Sequence, residues 1–125
     1  MATILLIDDD ADLVEACKMV IAGRGHEVKS ARSAAEAREL LKGGRPDAIV
    51  LDVMMETKDS GFDLAREVQQ RFPGLPIVLL TSVHDAVPPS MRFEPDETWL
   101  PVIRFLEKPV DPAVLADEID GMLAG

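Results

Sequence analysis

The sequence predicts an α/β protein built on a parallel sheet that helices cover on both faces. Five short strand-like segments alternate with segments of helical periodicity along the 125 residues. Three of the five are continuously apolar, as expected of strands buried on both faces, and two are half polar. Such alternation favours parallel strands joined by right-handed crossovers. The length suits a single domain over residues 1–125.

The polarity of each strand predicts its place in the sheet. The continuously apolar segments are 3–7, 48–51 and 77–80, and the half-polar segments are 26–30 and 102–106. A strand at an edge has one side open to water, so it tolerates polar residues that a central strand does not. We therefore expect the first, third and fourth strands to be central and the second and fifth to be peripheral.

Helical patterns fill the intervals between these strands. Apolar residues at i, i+4, i+7 and i+8 define a first helix, and capping signals define three others. The residues concerned are Leu13, Cys17, Val20 and Ile21 in the first helix, the capping box Ser33 to Glu36 in the second, Ser60 or Gly61 opening the third before Pro73, and Asp111 capping the last with Pro112 behind it.

The interval from Ser82 to Pro101 does not match a regular helix. It contains Pro88, Pro89 and Pro95, and a proline inside a helix costs about 3 kcal/mol. We expect a fourth helix that is short or irregular, with an extended loop covering the sheet between the fourth and fifth strands.

Composition excludes several classes of function. The chain has 13 basic and 23 acidic residues, a net charge of −10, so nucleic acid and anionic membranes are not expected as direct partners. The one cysteine, Cys17, excludes a disulfide framework and a multi-thiolate metal site. No apolar run approaches the roughly 20 residues that cross a bilayer, and we expect no signal peptide, because no basic region precedes an apolar stretch at the start of the sequence. We expect a cytoplasmic protein.

His26 and His84 have no evident partner in the sequence and are expected to be solvated.

Polar residues follow the ends of the predicted strands. Asp8 and Asp9 follow the first strand, Asp52 the third, Thr81 the fourth and Lys108 the fifth. Because parallel strands end at one edge of a sheet, where open α/β sheets bind ligands, these residues should converge there. Clustered carboxylates repel one another and need a cation, and oxygen ligands favour Mg²⁺ or Mn²⁺.

A lysine and a hydroxyl beside a metal-bound carboxylate point to a phosphoryl group, because metal and ammonium neutralise its oxygens and the hydroxyl donates to them. The milder interpretation of Asp8, Asp9 and Asp10 is a strand exit followed by a helix cap. Capping, however, needs one acid and not three.

The strand-end motifs resemble those of the receiver domain of two-component response regulators. They are ILLIDDD at 4–10, IVLDVMM at 49–55, LLTS at 79–82 and FLEKP at 105–109. The resemblance spans essentially the whole chain. It implies a flavodoxin-like, doubly wound five-stranded sheet in the order 2-1-3-4-5, which agrees with the edge strands expected from polarity. It also implies a phosphorylation-dependent signalling switch and not an enzyme acting on other substrates.

The resemblance assigns roles to the acidic residues. Asp52 resembles the phosphoacceptor, which takes a phosphoryl group from a phosphohistidine. Asp9 and Asp52 resemble direct Mg²⁺ ligands, with the backbone carbonyl of Met54 as a third. Asp8 would act mostly through a metal-bound water. The donor would be a sensor histidine kinase or a histidine phosphotransfer protein.

The resemblance also assigns the switch. Lys108 would pair with Asp52 and then with the phosphoryl oxygens, Thr81 would move its hydroxyl onto the phosphoryl group, and Phe105 would move with Thr81. The downstream target is an unidentified protein. Because the family's dimer surface involves the fourth helix, which is irregular here, we expect a monomer or a weak dimer.

Departures from the family pattern leave alternatives open. Glu56 stands where the family commonly has proline, and Gly61 comes one residue late. A pseudo-receiver that only binds proteins would lack Asp9, Asp52 or Lys108, and all are present. A Mg²⁺-dependent aspartyl phosphatase would need an acid at the position of Met54. The chain is either a single-domain receiver or a domain cut from a longer protein.

Overall fold

The structure is a computed structural model, and it describes residues 2–52, 60–82, 103–108 and 110–124. Within these ranges the strands are β1 (Thr3–Ile7), β2 (Glu27–Ala31), β3 (Ala48–Asp52), β4 (Ile77–Ser82) and β5 (Ile103–Lys108). The helices in the same ranges are α1 (Ala11–Gly23), α2 (Ala34–Lys42), α3 (Ser60–Arg71) and α4 (Pro112–Ala124).

The five strands form one parallel sheet in the order β2-β1-β3-β4-β5. This confirms the predicted fold class and the predicted central and edge strands. Boundaries differ slightly, since β2 begins one residue later than expected and β5 continues to Lys108, while Val102, the expected start of β5, lies outside the described residues. Because β5 pairs with β4 along its whole length, the polar end of β5 stays in the sheet despite its composition.

Alternating residues of the strands feed two separate hydrophobic cores. One core lies between the sheet and helices α2 and α3, and it includes Leu5, Ile7, Ile49, Leu51, Leu41, Leu64, Val68, Ile77 and Leu79. The other lies between the sheet and helices α1 and α4, and it includes Ile4, Leu6, Cys17, Ile21, Val50, Val78, Leu80, Leu115 and Ile119. Burial on both faces explains why the central strands are continuously apolar.

Side-chain caps begin three of the helices. Asp10 caps α1, and Ser33 caps α2 through its Oγ, which accepts from the N–H of Glu36 at 3.1 Å. The Glu36 carboxylate accepts from the N–H of Arg32 at 2.7 Å, one residue before the usual position in a capping box. Asp111 Oδ1 accepts from the N–H of Ala113 at 2.9 Å, ahead of α4. The caps predicted at Ser33 and Asp111 are confirmed.

Some sequence-based expectations fall outside the described residues. These are the irregular fourth helix and loop within Ser82–Pro101, together with Met54 and Glu56. In the part of the chain that is described, no helix combines the length and the apolar character needed to span a bilayer.

Candidate acidic site at the carboxyl edge of the sheet

The central strands bring three aspartates to one edge of the sheet. β1 and β3 are neighbours, and Ile7 at the end of β1 pairs with Leu51. The next residues along the two strands are Asp8 and Asp52. They therefore lie side by side, with Asp9 following directly. This is the convergence that the order of strand ends predicts.

The three carboxylates form a compact cluster. Asp8, Asp9 and Asp52 each offer one oxygen, and these atoms all lie within 4.8 Å of one another. Asp8 is fully buried and Asp52 is 3% exposed, whereas Asp9 is exposed. Two unit charges at that separation repel by about 1 kcal/mol in water and by more in the interior. A set of oxygen ligands that opens to solvent at Asp9 suits a hard divalent cation such as Mg²⁺.

Backbone hydrogen bonds fix the position of Asp8. Its N–H continues the ladder between β1 and β2 by donating to the carbonyl of Ala31 at 3.1 Å. Its Oδ1 accepts from the N–H of Asp10 at 2.9 Å, and Asp10 in turn caps α1. The N-terminus of a helix carries a partial positive charge, so α1 begins where negative charge collects.

The remaining predicted site residues lie on β4 and β5. Leu80 pairs with Asp52, so Thr81 stands one residue further along β4. Thr81 pairs with Glu107, and Lys108 is the last residue of β5, paired with Ser82. The backbone therefore places Thr81 and Lys108 at the edge that carries the aspartates. Phe105 pairs with Leu79, further from that edge.

A second polar cluster, at the amino ends of β1 and β2, was not predicted. Arg24 Nη1 contacts Asp117 Oδ1 at 2.7 Å and Asp120 Oδ2 at 2.9 Å. His26 Nε2 lies 2.7 Å from Asp120 Oδ1, and the His26 side chain is only 13% exposed. The expectation of a solvated His26 is therefore wrong. Arg24 and His26 are more than 90 positions away from Asp117 and Asp120, and no pattern in the sequence indicates that they meet. The packing of α1 against α4 brings them together.

These contacts shift the ionisation of Asp120 and Arg24. The hydrogen bond from His26 lowers the pKa of the Asp120 carboxyl below its ordinary value, and the hydrogen bond from Arg24 lowers it further. The same aspartates, Asp117 first, raise the pKa of the Arg24 guanidinium. The side chains of Arg24, Asp117 and Asp120 are 33%, 70% and 39% exposed, so water screens much of their interaction.

Comparison with known proteins points to one family. A family model described as the response regulator receiver domain matches residues 4–120. The chain is 34% identical over 122 residues to the transcriptional regulatory protein GlrR of Escherichia coli K12, covering 98% of this chain and 26% of GlrR. It is 35% identical over 123 residues to the transcriptional regulatory protein AfsQ1 of Streptomyces coelicolor, covering 98% of this chain and 52% of AfsQ1.

A solved structure agrees with these sequence relatives. A response regulator receiver protein from Sinorhizobium medicae has a TM-score of 0.81 and 30% identity, over 99% of this chain and 95% of that one. This chain spans between about a quarter and about half of the length of the two curated relatives. Because both are named transcriptional regulatory proteins, the absence of a direct nucleic-acid partner stays a prediction.

Proposed function

The chain belongs to the response regulator receiver domains, which signal through phosphorylation, and from this premise we propose that Asp52 is the residue that accepts the phosphoryl group. The observation that carries the proposal is the cluster of three carboxylates, with Asp52 buried at the end of a central strand. Asp52 adjoins Asp8 on one side and β4 on the other, with β5 beyond β4.

The proposed reaction transfers a phosphoryl group from a phosphohistidine to the Asp52 carboxylate. A carboxylate oxygen attacks phosphorus and forms an O–P bond while the N–P bond to the donor imidazole breaks. The electron pair leaves on the imidazole nitrogen, which takes a proton from solvent. The product is an acyl phosphate on Asp52. Because Asp52 is 3% exposed, few water molecules can compete with it for the phosphoryl group.

The acidic cluster fits Mg²⁺, or Mn²⁺ in its place, because its donors are carboxylate oxygens within 4.8 Å of one another. In the proposal Asp9 and Asp52 are direct ligands, the backbone carbonyl of Met54 is a third, and Asp8 acts through a bound water. When bound, the ion supplies positive charge that offsets the phosphoryl oxygens and the carboxylates. Asp52 is the last residue of β3, and Asp8 is held beyond β1 by the bond from its N–H to the carbonyl of Ala31, so the backbone of both residues is in place before the cation binds.

Lys108, Thr81 and Phe105 complete the proposed site. The Lys108 ammonium pairs with Asp52 and then with the phosphoryl oxygens, and the Thr81 hydroxyl donates a hydrogen bond to the phosphoryl group. Phe105 moves together with Thr81 and carries the change to the surface. The pairing of β4 with β5 supports these roles, since it aligns the strand ends that bear Thr81 and Lys108.

We expect the phosphodonor to be a sensor histidine kinase or a histidine phosphotransfer protein, and the reader to be a protein partner. We expect the chain to act in the cytoplasm as a monomer or a weak dimer, without binding nucleic acid or membrane directly. These expectations follow from the family and from the net charge of −10.

Intact-mass spectrometry after incubation with acetyl phosphate tests the assignment. The wild-type chain should gain one phosphoryl group in Mg²⁺ and none in the presence of EDTA, and Asp52→Asn should gain none. Asp47→Asn is the matched control, because Asp47 lies just before the opposite end of β3 and accepts a hydrogen bond from the N–H of Thr3 at 2.7 Å. Normal phosphorylation of Asp52→Asn would show that another residue accepts the group.

A further inference from the structure

We propose that Asp10 is a positioning residue for the acidic cluster, which it serves without being a ligand. In this proposal Asp10 joins the N-terminus of α1 to the buried carboxylate of Asp8 and so holds Asp8 and Asp9 in the arrangement that binds the cation. The inference rests on the proposed function above. It concerns how the site is built and goes beyond which residues form it.

Asp10 is bound tightly to the first turn of α1. Its backbone is extended, with φ −84° and ψ 100°, as is usual for a residue that caps a helix. Its carboxylate accepts from the N–H of Asp12 at 3.1 Å and from the N–H of Leu13 at 3.2 Å. Its carbonyl accepts from the N–H of Val14 at 3.0 Å, the first bond of the helix. The side chain of Asp10 is thus directed toward the helix.

The backbone of Asp10 is bound in the other direction, toward the site. Its N–H donates to Asp8 Oδ1 at 2.9 Å. Asp8 is itself anchored by its own N–H, which donates to the carbonyl of Ala31 on β2 at 3.1 Å. The short segment Asp8–Asp10 is therefore fixed to the sheet at one end and to the helix at the other.

Asp9 lies between Asp8 and Asp10, and its position depends on both of these residues being held. It is the exposed member of a cluster whose carboxylate oxygens lie within 4.8 Å of one another, so mutual repulsion favours its turning away into solvent. Its backbone cannot follow while Asp8 and Asp10 are both held. If the cap is lost, Asp10 keeps its backbone bond to Val14 but loses both side-chain bonds to the first turn of the helix, so the restraint on Asp9 weakens. Partners that orient metal ligands typically account for 10–100-fold in metal affinity.

The test is a Mg²⁺ titration of the full chain followed by amide NMR, together with a urea midpoint for each variant. Asp10→Ala removes the cap. Asp10→Ser keeps a good capping oxygen and removes the charge. Ser33→Ala is the matched control, because it removes the cap of α2, where Ser33 Oγ accepts from the N–H of Glu36 at 3.1 Å, without touching the segment Asp8–Asp10.

We expect Asp10→Ala to bind Mg²⁺ about tenfold more weakly than the wild type, at the lower end of the range for such partners. Ser33→Ala should lose similar stability and keep its Mg²⁺ affinity, and Asp10→Ser should recover most of the affinity. In the metal-free chain, Asp10→Ala should shift the amide signals of Asp8 and Asp9 more than Ser33→Ala does.

Two results would overturn the proposal. Equal Mg²⁺ affinity in Asp10→Ala and Ser33→Ala would mean that Asp10 is only a structural cap. An affinity in Asp10→Ser as low as in Asp10→Ala would mean that Asp10 acts through its charge. A wild-type chain that binds no Mg²⁺ would instead overturn the proposed function, together with this inference.

Discussion

Two groups of acidic side chains lie at opposite ends of β1, and they differ in what each carboxylate faces. At the carboxyl end, Asp8, Asp9 and Asp52 present oxygens to one another within 4.8 Å. At the amino end, Asp120 lies within 2.9 Å of both Arg24 and His26. The first group concentrates negative charge in a partly buried place. The second pairs its carboxylates with the Arg24 guanidinium and the His26 ring and is partly exposed, with Asp120 at 39%.

The difference separates a site for an external cation from a structural clasp. Buried carboxylates placed against each other lower stability unless a cation joins them, so such an arrangement indicates chemistry. Carboxylates already paired with arginine and histidine have no such requirement. At the surface, pairs of this kind contribute little each, and their role is to fix local geometry.

His26 shows how the amino-end group fixes geometry. Its Nδ1 accepts from the N–H of Ala2 at 3.3 Å, so the contacts assign the ring proton to Nε2, which donates to Asp120 at 2.7 Å. One ring thus joins the residue before β1 to helix α4. Arg24, which follows α1, adds a second connection to the same helix.

Asp9→Asn should have the largest effect, because Asp9 is the exposed member of a cluster of three carboxylates. We expect loss of Mg²⁺-dependent phosphorylation, since a neutral amide is a poor ligand for Mg²⁺. In metal-free buffer the same variant should gain about 1 kcal/mol in the free energy of unfolding, because it removes repulsion at a water-exposed position. Acetyl phosphate labelling and urea unfolding, each with and without Mg²⁺, provide the two measurements.

Asp12→Asn is the control for that experiment. Asp12 is an exposed acid in the first turn of α1, three residues from Asp9, where negative charge is favourable. Its substitution should lower stability slightly and leave phosphorylation intact. If Asp9→Asn were destabilising in metal-free buffer to the same degree, the carboxylates would not be repelling one another, and the contrast between the two ends of β1 would fail.

The sequence was sufficient to predict the carboxyl-end group and not the amino-end group. Asp8 and Asp52 each follow an apolar strand, and a parallel sheet aligns strand ends, so local periodicity carries the information. Arg24 directly follows α1 and Asp120 lies in α4, and the packing of these two helices depends on how both cover one face of the sheet. Periodicity identifies the buried side of each helix. It does not predict which polar residues meet along the boundary between them.

The role proposed for Asp10 could be predicted from the sequence only in part. A cap at the start of α1 is a local feature that the cluster of acids before the helix suggests. The link from its N–H to Asp8 depends on the path of the chain as it leaves β1, and that path is visible only in the structure. The sequence therefore indicates the residue, whereas the three-dimensional arrangement indicates its connection to the site.

The amino-end group should make stability depend on pH below neutrality. The hydrogen bond from His26, and then that from Arg24, lower the pKa of the Asp120 carboxyl in the folded chain below its ordinary value. The unfolded chain therefore binds a proton more readily, and this contribution is complete above the unfolded value and is lost as pH falls through the folded one. Asp120→Asn should flatten the dependence of the urea midpoint on pH in the window just below about pH 4.

His26→Ala sharpens the same test. It removes the first cause of the lowered pKa of Asp120 and leaves the N–H of Ala2 without its ring partner. We expect a loss of about 1–2 kcal/mol near neutral pH, typical of a part-buried hydrogen-bonded group, and a weaker acid dependence than in the wild type. An unchanged acid dependence in both variants would mean that solvent screens Asp120 completely.

Gly121→Ala should have the smallest effect, and it separates helix formation from charge at the amino-end group. Gly121 is exposed inside α4, directly after Asp120, and a Cβ built there meets nothing within 4 Å. Alanine in a helix interior is favoured over glycine by about 0.5–1 kcal/mol, so the urea midpoint should rise equally at every pH. A rise for Gly121→Ala that vanished at low pH would show that α4 is stabilised through Asp120 and not through its own backbone.

Gly25→Ala tests the reverse case beside Arg24 and His26, because Gly25 has φ +92° and an added Cβ is strained there. This variant should lose about 1 kcal/mol in the free energy of unfolding, with the acid dependence retained.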